Sequence, residues 1–141
     1  MANILIDTGY WFAHFDSNDD NHHEIASLLP LLEANLLLIP WPTLYETINT
    51  KFSKSGKKKW LVEFERIIKR SNVRIIDDVT YKEKALALTF DRQNNEKFDL
   101  SLVDNIIREM LIDPSLRIKF FITFNQKDFR DICSKKQIQI N

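Results

Sequence analysis

The segment Asn3-Ile4-Leu5-Ile6-Asp7 is a short, continuous apolar run that ends on an acid. It is too short for a helix. Because its apolar residues do not alternate with polar ones, it predicts a strand buried on both faces of a sheet. Similar runs recur along the chain, at residues 36–39, 73–76, 119–123 and, as a candidate last edge strand, 138–140.

Between these runs, the apolar residues recur at the 3.6-residue spacing of helices. The strongest stripe covers residues 102–111, and weaker ones lie within 25–32, 44–52, 60–68 and 81–90. Strands that alternate with helices predict an α/β protein in which a parallel sheet carries helices on both faces. The length predicts one domain over residues 1–141.

The charges of this 141-residue chain are unevenly distributed although they sum to zero. Residues 1–50 contain seven acids and no Lys or Arg, whereas residues 51–141 contain all 20 basic residues and 13 acids. The balance argues against a histone-like, purely electrostatic binder. The asymmetry points to a charged partner, so nucleic acid is not excluded.

Several classes of protein are excluded by composition. Cys133 is the sole cysteine, which excludes a disulfide framework and cysteine-rich zinc sites and is typical of a reducing cytoplasm. Gly9 and Gly56, the two glycines, are too few for glycine-rich phosphate loops. We expect no membrane segment and no signal peptide, because proline and polar residues interrupt the apolar stretch 28–41 and the start lacks basic residues.

Acids or amides stand at the corners between predicted strands and helices. Asp7 ends the first strand, and Glu46 follows the second. Asp104 opens the helix of residues 102–111, and Asn125 follows the fourth strand. Ligands of parallel sheets bind beyond the carboxyl ends of the strands, where these corners can converge. Clustered carboxylates repel one another unless a cation lies between them, and oxygen ligands without cysteine pairs suit Mg²⁺ or Mn²⁺.

Helix capping is the alternative interpretation of the same residues. Thr43-x-x-Glu46 fits a capping box, and two related patterns are Ser101-x-x-Asp104 and Asn125-x-x-Asp128. Acids in a first helical turn also suit the helix dipole. Asp99 lies near Asp104 and is interpreted first as a loop or capping residue.

The order and spacing of these motifs resemble the PIN-domain family, especially the VapC-type toxins of toxin–antitoxin pairs. Ile4-Leu5-Ile6-Asp7-Thr8 is similar to the opening strand with its first acid. Pro42-Thr43-Leu44-Tyr45-Glu46 and Leu100-Ser101-Leu102-Val103-Asp104 are similar to the segments of the second and third acids. Ile122-Thr123-Phe124-Asn125 with Gln126-Lys127-Asp128-Phe129 is similar to the closing strand and turn.

The resemblance implies a three-layer α/β/α sandwich with a central, mostly parallel sheet, and a metal-dependent endoribonuclease. Asp7, Glu46, Asp104 and Asn125 are then the catalytic positions, with Mg²⁺ or Mn²⁺ held by Asp7 and Asp104. Glu46 orients or deprotonates the attacking water. Asn125 stands where the family often has Asp, which puts a second metal in doubt; Asp128 is a weaker substitute. The resemblance also implies a cognate antitoxin and a homodimer in the cytoplasm.

Residues 51–70 form the densest basic block and are interpreted as a track for RNA phosphates or as an ordinary solvated turn. Trp60 is expected to pack in the core rather than stack on a base. The expected substrate contacts are Thr8, Lys51, Lys57, Lys58, Lys59 and Arg130.

Two kinds of function remain open from the sequence. The first is an endoribonuclease that acts as a toxin or in RNA processing, and the second is a PIN-like module that binds RNA or protein without cleaving. Asn125 is the main support for the second. A phospho-acceptor domain is disfavoured because Asp7 stands alone and Thr123 ends the late strand. A phosphatase of the Asp-x-Asp type is disfavoured because Gly9 takes the second position.

Overall fold

The computed structural model describes residues 1–53, 57–91 and 100–141, and it contains a central sheet of five parallel strands. The strands are β1 (Asn3–Ile6), β2 (Leu36–Pro40), β3 (Val73–Ile76), β4 (Ile118–Ile122) and β5 (Gln139–Ile140). Their order across the sheet is β3-β2-β1-β4-β5. The predicted α/β class is confirmed, and so are the strand positions to within one residue. β2 ends one residue later than predicted, β4 begins and ends one residue earlier, and β5 begins one residue later.

Helices occupy both faces of this sheet, as predicted. In the part of the chain that is described they are α1 (Thr8–Phe15), α2 (Ile25–Glu33), α3 (Trp41–Thr47), α4 (Lys58–Ile68), α5 (Lys82–Phe90), α6 (Leu102–Ile112) and α7 (Arg130–Lys136). A π-helical turn, Ile48–Phe52, extends α3, and short 3₁₀ turns cover His22–Glu24, Pro114–Leu116 and Gln126–Asp128. None of the described helices is long and apolar enough to cross a membrane.

The central strand β1 explains why the core has two halves. Its successive side chains point to opposite faces of the sheet. Ile4 and Ile6 pack in a cluster with α1, α2 and α4, whereas Leu5 packs in a second cluster with α5, α6 and α7. All three side chains are fully buried, which accounts for the uninterrupted apolar run in the sequence.

The strand order reverses direction beside β1, and this reversal places the candidate site. From β1 the chain moves to β2 and then β3 on one side, and it later returns to β4 on the other side. Crevices at such reversal points, beyond the carboxyl ends of the strands, are where open α/β sheets bind ligands. Asp7 follows β1 and Thr123 follows β4 at this point.

Candidate active site

Asp7 is held in the crevice by hydrogen bonds to both of its carboxylate oxygens. As the N-cap of α1, it accepts at Oδ1 from the backbone N–H of Thr8, at 2.8 Å. Its Oδ2 accepts from the hydroxyl of Thr123, also at 2.8 Å. The hydroxyl of Thr123 in turn accepts from the backbone N–H of Asn125, at 3.1 Å. The orientation of Asp7 therefore depends on a residue 116 positions away in sequence.

Glu46 reaches the same crevice from α3. Its Oε1 accepts the hydroxyl proton of Thr8, at 2.8 Å, so Thr8 links the first acid to the second. The proposed capping box of Thr43 with Glu46 is wrong, because α3 already begins at Trp41 and the Thr43 hydroxyl donates to the carbonyl of Pro40. Glu46 lies one turn further along the helix than a capping residue would, and it is directed toward Thr8.

Asp104 has a structural role as well as a place near the other acids. Its Oδ2 accepts from the backbone N–H of Ser101, and its own N–H donates to the Ser101 hydroxyl, which confirms the predicted capping box of α6. Its negative charge also raises the pKa values of Asp7 and Glu46, so it lies within electrostatic range of both. Capping and chemistry are thus compatible at this residue.

The protonation of Asp7 is the clearest electrostatic signature of the crevice. Burial raises the pKa of Asp7 to about 6, against the hydrogen bonds from Thr123 and Thr8, and the charges of Asp104 and Glu46 add to the increase. Burial likewise raises the pKa of Glu46 above its usual range, opposed by the Thr8 hydroxyl and supported by the Asp104 charge. The ionisation of Asp7 and Glu46 is thus disfavoured in the crevice, and a cation bound there would favour it.

The carboxylate oxygens of the three acids are the type of ligand that a hard divalent cation prefers, but they are not arranged around a common metal position. Over the described ranges, no three His, Cys, Asp or Glu side chains are arranged to hold a metal ion. Asp7, Asp104 and Glu46 are oxygen donors of the type that Mg²⁺ and Mn²⁺ prefer, and their mutual repulsion favours a bound cation. For Asp104 to serve as a ligand, the Oδ2 atom would give up or share its hydrogen bond with Ser101.

The fourth predicted position, Asn125, lies at the crevice but is tied to Asp128. Its side-chain amide donates to Oδ2 of Asp128, which is 7% exposed. The spacing Asn125-x-x-Asp128 predicts helix capping, but the Asn125 side chain makes this contact with the Asp128 carboxylate instead of a capping hydrogen bond. Asn125 therefore contributes no charge, and Asp128 is engaged by it.

Arg108, which the sequence did not single out, connects α6 to the turn that carries Asn125. Its guanidinium donates to the carbonyl of Asp128 at 2.7 Å and to both carboxylate oxygens of Asp131 at 2.8 and 2.7 Å. The hydrogen bonds and charge of Arg108 hold the pKa of Asp131 below its usual range. No local pattern predicts this role, because it depends on the packing of α6 against α7.

The predicted basic contacts are not all in one place. Lys57 is the residue just before α4, and its ammonium lies 4.1 Å from the ring centre of Trp60, while Lys58 and Lys59 are exposed in the first turn of that helix. Trp60 packs on the core, as predicted, with its ring 5.8 Å from that of Phe52. Arg130 is exposed at the start of α7, beside Asn125. The side chain of Lys51, the last predicted basic contact, lies outside the described residues, and so does Asp99, the acid near Asp104.

Replacing Thr123 by Val is expected to release Asp7 from its long-range hydrogen bond. The free energy of unfolding should fall by about 1–3 kcal/mol, because the N–H of Asn125 also loses its acceptor. The pKa of Asp7 should rise above its value in the unchanged protein, since the hydroxyl of Thr123 lowers it. Denaturant unfolding and a carbon-13 NMR titration of the carboxyl group would measure both effects.

Thr123→Ser is the matched control, because it keeps the hydroxyl and removes one methyl group. It should leave the Asp7 pKa close to that of the unchanged protein. An equal shift in the Ser and Val variants would contradict the assigned hydrogen bond.

Comparisons with known proteins identify the fold. No protein-family model and no curated protein matches the sequence. Among solved structures, VapC20 of Mycobacterium tuberculosis, a sarcin–ricin loop cleaving toxin, is similar with a TM-score of 0.72 and 17% identity over 91% of this chain and 94% of that one. VapBC2 of Rickettsia felis, bound to a DNA fragment from its promoter, is similar with a TM-score of 0.67 and 15% identity. The match covers 99% of this chain and 97% of that one. The chain therefore has the PIN-like α/β/α fold of VapC toxins, as the resemblance implied.

Proposed function

We propose that this protein is a Mg²⁺- or Mn²⁺-dependent endoribonuclease and the toxin of a toxin–antitoxin pair. The observation that carries the proposal is the electrostatic coupling of Asp7, Glu46 and Asp104 at the reversal point of the sheet. These acids come from three segments separated by 39 and 58 residues. The fold shared with a ribonucleolytic toxin supports it independently.

The roles of the three acids follow from their partners. Asp7 and Asp104 are the proposed ligands of the metal, which when bound polarises a phosphoryl oxygen and offsets its developing negative charge. Glu46 is the proposed base that accepts a proton from the attacking water. Thr8 fixes the Glu46 carboxylate through its hydroxyl, so its role is to position the base rather than to contact RNA directly. Thr123 positions Asp7 in the same manner.

A single tightly held metal suits the crevice better than two. Asn125 supplies an amide where a fourth carboxylate would add a negative charge, and that amide is committed to Asp128. The second cation of a two-metal site would therefore have fewer charged ligands than its role requires. We propose that Asn125 helps to hold the turn beside the crevice.

RNA is the proposed substrate because the acidic crevice occurs in a chain whose later part is basic. Lys58 and Lys59 lie in the first turn of α4, where the helix dipole disfavours cations, and a bound phosphate would offset that cost. Lys57 and Arg130 are further proposed phosphate contacts, and Lys51 is proposed from sequence alone. A cognate antitoxin, a homodimer and a cytoplasmic location belong to the same proposal, and a small upstream gene for a DNA-binding antitoxin would favour it.

The proposal is tested by metal titration of the purified protein with a mixture of single-stranded RNAs. We expect no cleavage in EDTA, and cleavage that saturates with added Mg²⁺ or Mn²⁺. The alternative is a PIN-like module that binds RNA or protein without cleaving it, supported by Asn125 and by the capping bonds of Asp104. RNA binding without cleavage at any metal concentration would establish that alternative and refute the nuclease.

A further inference from the structure

An open cleft of about 470 Å³ lies beside the candidate active site. One wall is formed by Asn21 and Glu24, and the other by Asn125, Gln126, Lys127 and Arg130. The volume falls within the roughly 300–1,000 Å³ range of sites for small ligands. We refer to it as the Asn125 cleft.

The Asn125 cleft adjoins Asp7, which is partly buried, through two separate contacts. The backbone N–H of Asn125 donates to Thr123, whose hydroxyl donates to Asp7. Phe124 lines the cleft and lies against the first turn of α1, where a β-carbon on Gly9 would be only 3.6 Å from its ring. A ligand in the cleft would thus lie next to a group reacting at Asp7.

The two walls carry opposite charges, and these charges are available to a ligand. Lys127 and Arg130 are exposed, and within residues 1–53, 57–91 and 100–141 neither forms an ion pair. Glu24, opposite them, has a side chain that is 49% exposed, and its Oε1 lies 3.7 Å from Nε2 of the neighbouring His23. Cations on one wall suit a phosphate, and a carboxylate on the other suits the hydrogen-bond donors of a base.

We propose that the Asn125 cleft binds one nucleotide of the RNA next to the scissile phosphate. Lys127 and Arg130 contact the backbone phosphate of this nucleotide. Glu24 accepts hydrogen bonds from the base, which selects guanine, with its ring N–H and amino group, or cytosine, with its amino group. This inference rests on the proposed function, because it assigns a subsite of the same RNA.

The phosphate contacts are tested by the salt dependence of RNA binding. The full chain is kept in EDTA, and the affinity for a fluorescently labelled single-stranded RNA of mixed sequence is measured by anisotropy over a range of salt concentrations. Replacing Lys127 and Arg130 together by Ala should reduce the slope of log K against log salt by about 0.7, because the two cations contact one phosphate and each phosphate contact on a single strand contributes about 0.7. The control variant, Lys135→Ala with Lys136→Ala, removes two exposed cations from the last turn of α7, the helix that begins at Arg130. It should keep the slope.

The base contact is tested with Glu24→Gln on RNAs that differ only in the presence of guanine or cytosine. The unchanged protein should prefer the RNAs that contain these bases. The variant should lose that preference by roughly fivefold or more, while its salt slope does not fall. An unchanged preference would overturn the role of Glu24.

The outcomes separate this inference from the proposed function. If the protein cleaves RNA and the Lys127 and Arg130 variant retains the full salt slope, the subsite is wrong and the nuclease stands. If the unchanged protein neither binds nor cleaves RNA, the proposed function fails and the subsite fails with it.

Discussion

Replacing Asp7 by Asn is expected to reduce Mg²⁺-dependent RNA cleavage by more than about 100-fold without unfolding the protein. The variant loses the negative charge that we assign to the metal. Its side chain can still accept from the Thr8 N–H and donate to the Thr123 hydroxyl, so the local structure should be preserved. Initial cleavage rates at saturating Mg²⁺, with circular dichroism to verify folding, would measure the effect.

A pair of variants at the start of α6 distinguishes chemistry from capping. Asp104→Asn keeps an oxygen that can accept from the Ser101 N–H, so it should stay folded while cleavage is lost. Ser101→Ala removes the capping hydroxyl, so it should cost about 1 kcal/mol of stability and keep cleavage. Cleavage by Asp7→Asn and Asp104→Asn at the rate of the unchanged protein would refute the assignment of the site.

The stability of the metal-free protein is expected to fall as the pH rises from about 4 to 7 because of Asp7. The folded state raises the pKa of Asp7 from 3.8 to about 6, so the folded protein binds the proton more tightly than the unfolded chain. The stabilising contribution of Asp7 is therefore complete below pH 3.8 and is lost as the pH rises through 6. The shift corresponds to a loss on the order of 3 kcal/mol.

The comparison with Asp7→Asn isolates this contribution from the other carboxylates. Asp113 and Asp131, whose pKa values are lowered, change stability in the opposite direction and are present in both proteins. Urea unfolding at pH 4 and pH 7 should give a smaller pH-dependent loss in the Asn variant. Added Mg²⁺ should restore stability at pH 7 in the unchanged protein and much less in the variant, because the cation favours ionised Asp7. Equal pH dependence in the two proteins would contradict an Asp7 whose pKa is raised in the folded state.

The fold could be predicted largely from local sequence. Runs such as residues 3–6 are apolar at every position, and only a strand covered on both faces requires that pattern. The local pattern extends β4 one residue too far, to Thr123, because this residue is flanked by apolar and aromatic residues and nothing local distinguishes it from a strand residue. In the structure it lies just past the strand, where its hydroxyl can reach Asp7.

The sequence predicts which acids form the candidate site, but it does not predict the hydrogen bonds that hold them in place. The sequence identifies Asp7, Glu46 and Asp104 because each stands at a corner between a predicted strand and a predicted helix. The structure brings them within electrostatic range of one another. The spacing of Thr43 and Glu46 predicts a capping box, which the start of α3 at Trp41 excludes. The role of Arg108 leaves no local signal in the sequence, because its partners belong to another helix and turn.

The sequence by itself determined the strands, the parallel α/β class and which residues could supply carboxylates, because burial on two faces and strand ends leave local patterns. Tertiary structure alone decided that Thr8 holds Glu46 and Thr123 holds Asp7, across 38 and 116 residues. It also decided that Asp7, among all the acids near strand ends, has its pKa raised to about 6. Desolvation and long-range hydrogen bonds depend on which strands lie side by side. The strand order β3-β2-β1-β4-β5 is not encoded in any short segment, so no local pattern can predict them.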